Sequence, residues 1–241
     1  MNQRSPVNLK FLFVWFFFIT LSSSGISQKF YSKLQEYCVI LTQEFNKIPG
    51  ERKDQLNELA GYISENLTKK EPVQILFVCT NNSRRSQFAE IWAQTAAYYY
   101  GLKNISSYSG GIQQTAINYM IIESLKRAGF SVTASEVYSE NPVYLVSPGR
   151  RWKDIFVFSK KIDYWNNPNG HFACVYCSKN LINNNMKIPG SIQTIELPYD
   201  NVKIFDNSPG GNLKNDKICK EIGREMFYVM HVVKINRKRK N

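Results

Sequence analysis

Histidine is scarce in this 241-residue chain, which carries two. His171 and His231 have no ligand spacing to the single Cys-x-x-Cys, Cys174 to Cys177, and no second Cys-x-x-Cys exists, so a zinc site has no ligand set. A bilayer-spanning run is missing too: Phe11 to Leu21 is apolar, but a span needs about 20 residues. Internal repeats are absent, and Asn180 to Asn185 is the one low-complexity stretch. The formal net charge of +12 is scattered, with no basic helix and no basic stripe interleaved with aromatics, so nucleic-acid binding is not expected. One local basic cluster closes the chain at Lys234, Arg237, Lys238, Arg239 and Lys240, the pattern of a solvated, frayed end (residues 233–241).

What is present begins with a leader-like segment. Arg4 and Lys10 precede the Phe11–Leu21 run, and small residues Ser22 to Ser27 follow it. This reads as a secretory signal over residues 1–27, cleaved near Ser27–Gln28, and implies an exported protein with no stable membrane span; a cytoplasmic location follows if the segment is not a functional signal. Five cysteines, Cys38, Cys79, Cys174, Cys177 and Cys219, leave at least one thiol unpaired in an oxidising compartment.

Residues 28–70 read as a helical hairpin. Leu34, Cys38, Leu41 and Phe45 recur at helical spacing over Tyr31–Phe45, Pro49-Gly50 breaks the run, and Leu56, Leu59, Ile63 and Leu67 line a second helix. From residue 71 to 232 strands alternate with helices. Val73–Val78 is a continuous apolar strand, and a helix over 86–100 follows it. Further strands are expected at 105–109, 143–146, 155–158 and 172–176, with helices over 117–128 and about 216–231. The expected fold is α/β: a three-layer sandwich around a central, mostly parallel four-stranded sheet, with the N-terminal helical hairpin added.

The most informative residues follow the first strand. Cys79-Thr80-Asn81-Asn82-Ser83-Arg84-Arg85 forms Cys-x5-Arg between an apolar strand and a helix start. A strand that delivers a cysteine into a tight loop, ahead of a helix N-terminus, can cradle a tetrahedral oxyanion and stabilise an ionised thiol. In this reading Cys79 is the nucleophile and Arg85 the oxyanion clamp, because a planar guanidinium grips two oxygens at once. Ser83 and Ser86 offer hydroxyls to the sulfur, Asn82 braces the backbone, and Arg84 is expected to point out to solvent.

The stretch Ile75-Leu-Phe-Val-Cys-Thr-Asn-Asn-Ser-Arg-Arg-Ser-Gln-Phe-Ala-Glu90 resembles the low-molecular-weight protein tyrosine phosphatases and their sister group, the thioredoxin-coupled arsenate reductases. Ser109-Gly110-Gly111 with Asn118 is similar to the family's second loop, and the likeness covers roughly 72–231, with the hairpin as an extension of one bacterial branch. It implies attack by Cys79 on phosphorus or arsenic, oxyanion binding by Arg85, and loop shaping by Asn82 and Ser86. The family's Asp-Pro general acid has become Asn201-Val202, so Asp200, one position earlier, is the expected proton donor, with a plain turn residue as the alternative and Asp206 in reserve.

A reductase also needs two relay thiols. Cys177-Ser178 corresponds to the first; the second is missing where Asn184-Asn185-Met186 stands, and Cys174, the substitute at hand as a Cys-x-x-Cys pair, is expected to project in a different direction from Cys177 on a strand. Cys174 and Cys177 are otherwise small buried hydrophobes or one disulfide, and Cys38 and Cys219 belong to the core. The expected activity is phosphomonoester hydrolysis through a phosphocysteine, without metal or cofactor, on a phosphotyrosine protein or a small aryl phosphate. Arsenate reduction with thioredoxin as partner is the second reading, and an oxyanion-binding pseudoenzyme the third. Tyr98, Tyr99, Tyr100, Tyr164 and Trp165 are the rings available for a phosphotyrosine pocket, with core packing as their alternative.

Overall fold

The structure is a computed structural model that describes residues 29–135, 138–206, 208 and 210–240. The expected export signal, residues 1–27, lies outside the described residues.

The hairpin forms as its apolar spacing requires. Helices α1 (Ser32–Gln43) and α2 (Gly50–Thr68) bury Leu34, Cys38 and Leu41, and Leu56, Leu59 and Ile63, at steps of three and four residues. The alternation then gives β1 (Val73–Cys79), α3 (Arg85–Tyr99), β2 (Ile105–Gly111) and α4 (Tyr119–Ala128). Gly129 ends α4 at φ 106°, and a Cβ there would come within 2.4 Å of the Leu34 nitrogen, so glycine is needed both for the turn and for the approach of α1.

Short strands β3 (Ser131–Ala134), β4 (Tyr144–Ser147) and β5 (Ile155–Val157) pair antiparallel as a separate small sheet. The chain returns through β6 (Phe172–Tyr176), the short helix α5 (Lys179–Asn183) and β7 (Ser191–Glu196). A 3-10 turn (Val202–Phe205) leads to α6 (Gly211–Lys240). The main sheet is parallel and four-stranded, in the order β2-β1-β6-β7. Two expected strands, at 143–146 and 155–158, therefore belong to the small sheet, and the fourth main strand is β7. The final helix is also longer than expected: it runs through the basic cluster to Lys240 and fully buries Val233, while Arg237, Lys238 and Arg239 are exposed.

Alternation along the central strands divides the core. Ile75, Phe77 and Cys79 of β1 and Ala173 and Val175 of β6, with Cys177 just beyond, face the thick helical layer of α1, α2, α3, α4 and α6. Leu76, Val78, Phe172, Cys174 and Tyr176 face the thinner cover of α5 and its loop, with Leu181 and Ile188. Within the helical layer Trp92 is completely buried, stacked on Tyr37 and edge-on to Phe130 and Phe227. Cys79 thus ends the central strand on the helical side, where α3 begins.

Candidate active site

Loop 80–84 connects β1 to α3, and its backbone is turned inside out by its neighbours. The Thr80 carbonyl accepts from the Gln113 amide at 2.9 Å, and the Ser83 carbonyl from the Asn118 amide at 3.2 Å. The Asn81 carbonyl accepts from Ser159 Oγ at 2.8 Å, and the Asn82 carbonyl from Gln87 Nε2 at 3.2 Å. With the carbonyls drawn outward, the N–H groups of residues 80–84 meet no protein acceptor among the described residues. Peptide donors left this way, ahead of a helix N-terminus, are an anion nest. Two backbone features make the turn feasible: Asn82 adopts the left-handed φ of 47°, and Gly111 of β2 leaves room, since a Cβ there would sit 2.8 Å from the Asn82 nitrogen.

Asn82 is fully buried, and its side chain sets the polarity of the thiol's partner. Its Oδ1 accepts from Gln87 Nε2 at 2.8 Å and from the Lys160 amide at 2.9 Å. That fixes Nδ2 as the end facing Ser86, where it donates to Oγ at 2.9 Å. Ser86 Oγ, already accepting, has its own proton free for Cys79 Sγ, 3.0 Å away. The hydroxyl proton is thereby aimed at the sulfur. Arg85 lines the same cavity, and its Nη1 donates to the Tyr199 carbonyl at 3.2 Å.

The cavity above the sulfur is about 480 Å³, walled by Cys79, Thr80, Asn81, Ser83, Arg84, Arg85 and, opposite, Thr115 to Asn118 and Asn201 to Lys203. Arg84 does not point to solvent as expected. It is buried, because a carboxylate is available: Nη2 sits 2.8 Å from Asp206 Oδ2, which also accepts from Asn118 Nδ2 at 3.0 Å. Asn118 is in turn held as the cap of α4, its Oδ1 accepting from the Met120 amide. Asp206 therefore stands behind the cavity wall, tied to two residues that form it. Asp200, expected as the proton donor, is exposed and lines a different cavity with Lys214, Lys217 and Glu221.

The relay cysteines are separated by the sheet. Cys177 lies beside Cys79 at the strand ends, its amide donating to the Val78 carbonyl at 2.8 Å. Burial pushes its thiol well above the ordinary value, the neighbouring Cys79 sulfur adds to this, and Arg85 and Arg52 oppose it. Cys174 faces the other side of the sheet, so the pair does not act as one dithiol, and all five cysteines are free. Cys38 and Cys219 are core residues as expected. The rings are elsewhere too. Tyr98, Tyr164 and Trp165 border a separate cavity of about 470 Å³, while Tyr99 and Tyr100 pack against Phe227. None of these five rings walls the cavity over Cys79.

Several residues of this framework carry no motif of their own. Ser159 and Lys160 reach the loop from beyond β5, and Lys160 also forms a buried ion pair with Glu90 at 3.3 Å. Gln87 was within the quoted motif, but its grip on Asn82 is visible only in three dimensions. Among the described residues no group of His, Cys, Asp or Glu has the arrangement to hold a metal ion. No helix among them is long and apolar enough to cross a membrane.

Residues 74–142 match the family of low molecular weight phosphotyrosine protein phosphatases. Curated relatives include arsenate reductases of Staphylococcus aureus, among them that of strain Newman, 37% identical over 67 residues; the match covers 28% of this chain and 46% of the relative. The chain thus spans about half the length of the curated relatives it matches. Similar solved structures include a YwlE mutant from Bacillus subtilis, with TM-score 0.43 and 14% identity, covering 70% of this chain and 99% of that one. An arsenate reductase from Archaeoglobus fulgidus has TM-score 0.42 and 15% identity, with 65% and 98% covered.

Proposed function

We propose that this chain, a member of the superfamily of low-molecular-weight phosphotyrosine phosphatases and arsenate reductases, hydrolyses phosphomonoesters through a phosphocysteine at Cys79. The observation that carries this reading is the Asn82–Ser86–Cys79 relay, in which the hydroxyl proton is aimed at the sulfur at the mouth of an arginine-lined cavity. Cys79 attacks phosphorus, the S–P bond forms as the ester P–O bond breaks, and the loop amides and Arg85 hold the equatorial oxygens. Water then attacks the same phosphorus, the S–P bond breaks, and the thiolate and inorganic phosphate are released.

The departing oxygen needs a proton, and among the described residues no carboxylate lines this cavity. Asp200, the proposed donor, reaches it only if its turn moves. Turnover is therefore expected to depend steeply on the leaving group, with p-nitrophenyl phosphate cleaved well and alkyl phosphates hardly at all. The test is a rapid-quench measurement on p-nitrophenyl phosphate: a nitrophenolate burst and a trapped phosphocysteine are expected, and Cys79→Ser abolishes both. Undiminished hydrolysis by Cys79→Ser refutes the reading.

Arsenate reduction is retained as the second reading because Cys177 adjoins Cys79. Cys79 would attack arsenic, Cys177 would displace arsenite as the Cys79–Cys177 disulfide forms, and thioredoxin would return the two electrons. Thioredoxin-dependent turnover of arsenate that disappears in Cys177→Ser would support it; its absence in the wild type removes it.

A further inference from the structure

The Arg85 guanidinium is anchored outside the loop, at the carbonyl of Tyr199. What holds Tyr199 comes from the far end of the chain. Arg52 of α2 lies over its ring, 4.7 Å from guanidinium carbon to ring centroid. Arg52 has little freedom of its own. Nε and Nη2 each donate to one carboxylate oxygen of Glu225 on α6 at 2.9 Å, and Nη1 donates to Gln55 at 3.0 Å. The ring, the guanidinium and the carboxylate are all largely withdrawn from water, with the ion-paired side chains 13% and 4% exposed. Burying a charge pair is costly, and its clearest return is fixed geometry.

We propose that the N-terminal helical hairpin is a working part of the active site: Arg52, locked by Glu225, clamps the Tyr199 ring so that the Tyr199 carbonyl holds Arg85 in its oxyanion-binding orientation. The inference rests on the reading of the Cys79 loop as an oxyanion site. The turn that carries Tyr199 is otherwise tied to the backbone after β6 by the Leu197 amide to the Tyr176 carbonyl at 3.0 Å and by its own amide to the Cys177 carbonyl at 3.3 Å, neither of which holds the ring. Without the overlying cation the ring can tilt, and the carbonyl moves with it. An arginine with one donor committed presents its remaining donors in a fixed direction, so less order is lost when the anion binds. Arg52 is thus a positioning residue, acting on the anion through Tyr199 and Arg85. A hairpin that only covers the core would affect stability and leave anion affinity alone.

Inorganic phosphate is the probe, and its protection of Cys79 against iodoacetamide is the readout, followed by mass spectrometry below each variant's unfolding transition. Arg52→Met with Glu225→Gln removes both charges together, so no lone carboxylate is left buried. Tyr199→Leu leaves the ion pair and removes the ring. In both, the half-protecting phosphate concentration is expected to rise about tenfold, while Tyr199→Phe, which keeps ring and carbonyl, stays within about twofold of wild type. Unchanged protection in a folded Arg52→Met/Glu225→Gln protein overturns the clamp. If phosphate fails to protect the wild-type thiol, the oxyanion site itself is wrong and the clamp falls with it. Wild-type protection with unaltered variants leaves the site standing and removes the clamp alone.

Discussion

Substituting Asn82 by Asp reverses one hydrogen bond while keeping the size of the side chain. In the native loop Oδ1 is committed to Gln87 and Lys160, and Nδ2 donates to Ser86 Oγ. With Asp at this position, Oδ1 keeps those two donors, but the other oxygen now faces Ser86 as an acceptor. The Ser86 proton then turns from Cys79 Sγ, 3.0 Å away, to the new carboxylate. A hydrogen bond to a charged group is worth about 1.5–3 kcal/mol, so its loss from the thiolate lowers Cys79 reactivity about 10- to 100-fold at fixed pH. The added negative charge acts in the same direction. Ser86→Ala deletes the same donor and should show a loss of similar size. In a double-mutant cycle the Asn82→Asp effect shrinks on the Ser86→Ala background, because the hydroxyl it redirects is gone. The assay is the rate of iodoacetamide modification at Cys79 alongside the nitrophenolate burst. Rates within about twofold of wild type in either single variant, against the 10- to 100-fold expected, would refute the relay.

The remaining predictions are more local. Cys177→Ser should leave p-nitrophenyl phosphate hydrolysis near wild type, since the phosphatase cycle uses one thiol, while abolishing any thioredoxin-linked arsenate turnover; a large loss of hydrolysis would tie Cys177 to the first step. Arg84→Ala leaves Asp206 without its cation, so the Asn118 side of the cavity should loosen and phosphate protection of Cys79 should weaken about threefold to tenfold, measured as above. Glu44 is pushed down to about 2 by hydrogen bonds from Lys47 and then Lys220, working against its burial. A depressed carboxyl gives stability that is present above its ordinary value of 4.5 and is lost as pH falls through about 2. Glu44→Gln should therefore flatten the acid limb of a denaturation curve in that window and leave the neutral region less stable; an unchanged slope counts against the assignment.

The legible part of the fold was the part written in local pattern. Val73 to Val78 could only be a buried strand, and Leu34, Cys38 and Leu41 could only be one face of a helix. Strand β7 was missed for a physical reason: of Ser191 to Glu196 only Ile195 is buried, so an edge strand with polar neighbours gives almost no apolar signal. Leu145, Val146, Ile155 and Phe156 looked like core strands but form a small side sheet, because apolar runs of three or four residues do not reveal which partner they pair with. The closeness of Cys79, Asn82 and Arg85 is legible because adjacency alone places them. Arg84 was misread since its direction depends on Asp206, more than a hundred residues later. The rings are a similar case: Tyr98 borders a cavity while Tyr99 and Tyr100 pack on the core at Phe227, and nothing in their adjacency says which surroundings each one meets.

Long-range contacts of this kind also shape the chemistry. The nest has its form because four carbonyls are pulled outward, and the donors come from widely separated places: Gln113 and Asn118 after β2, Ser159 after β5, Gln87 on α3. No one of these contacts creates the site. Each removes one competing orientation of a peptide, and the anion-binding face is what remains when all are removed. The same logic reaches the two arginines, Arg84 tied to Asp206, which Asn118 also holds, and Arg85 tied to the carbonyl of Tyr199, whose ring lies under Arg52 of the hairpin. On the proposed reading, affinity for an oxyanion depends on tertiary structure, and partial unfolding of any contributing segment should weaken it before the thiol itself is displaced. Phosphate protection of Cys79, followed through mild urea, is then expected to fall ahead of the main unfolding transition. Coincident curves would mean that the nest is self-supporting and that the distant donors are ornament.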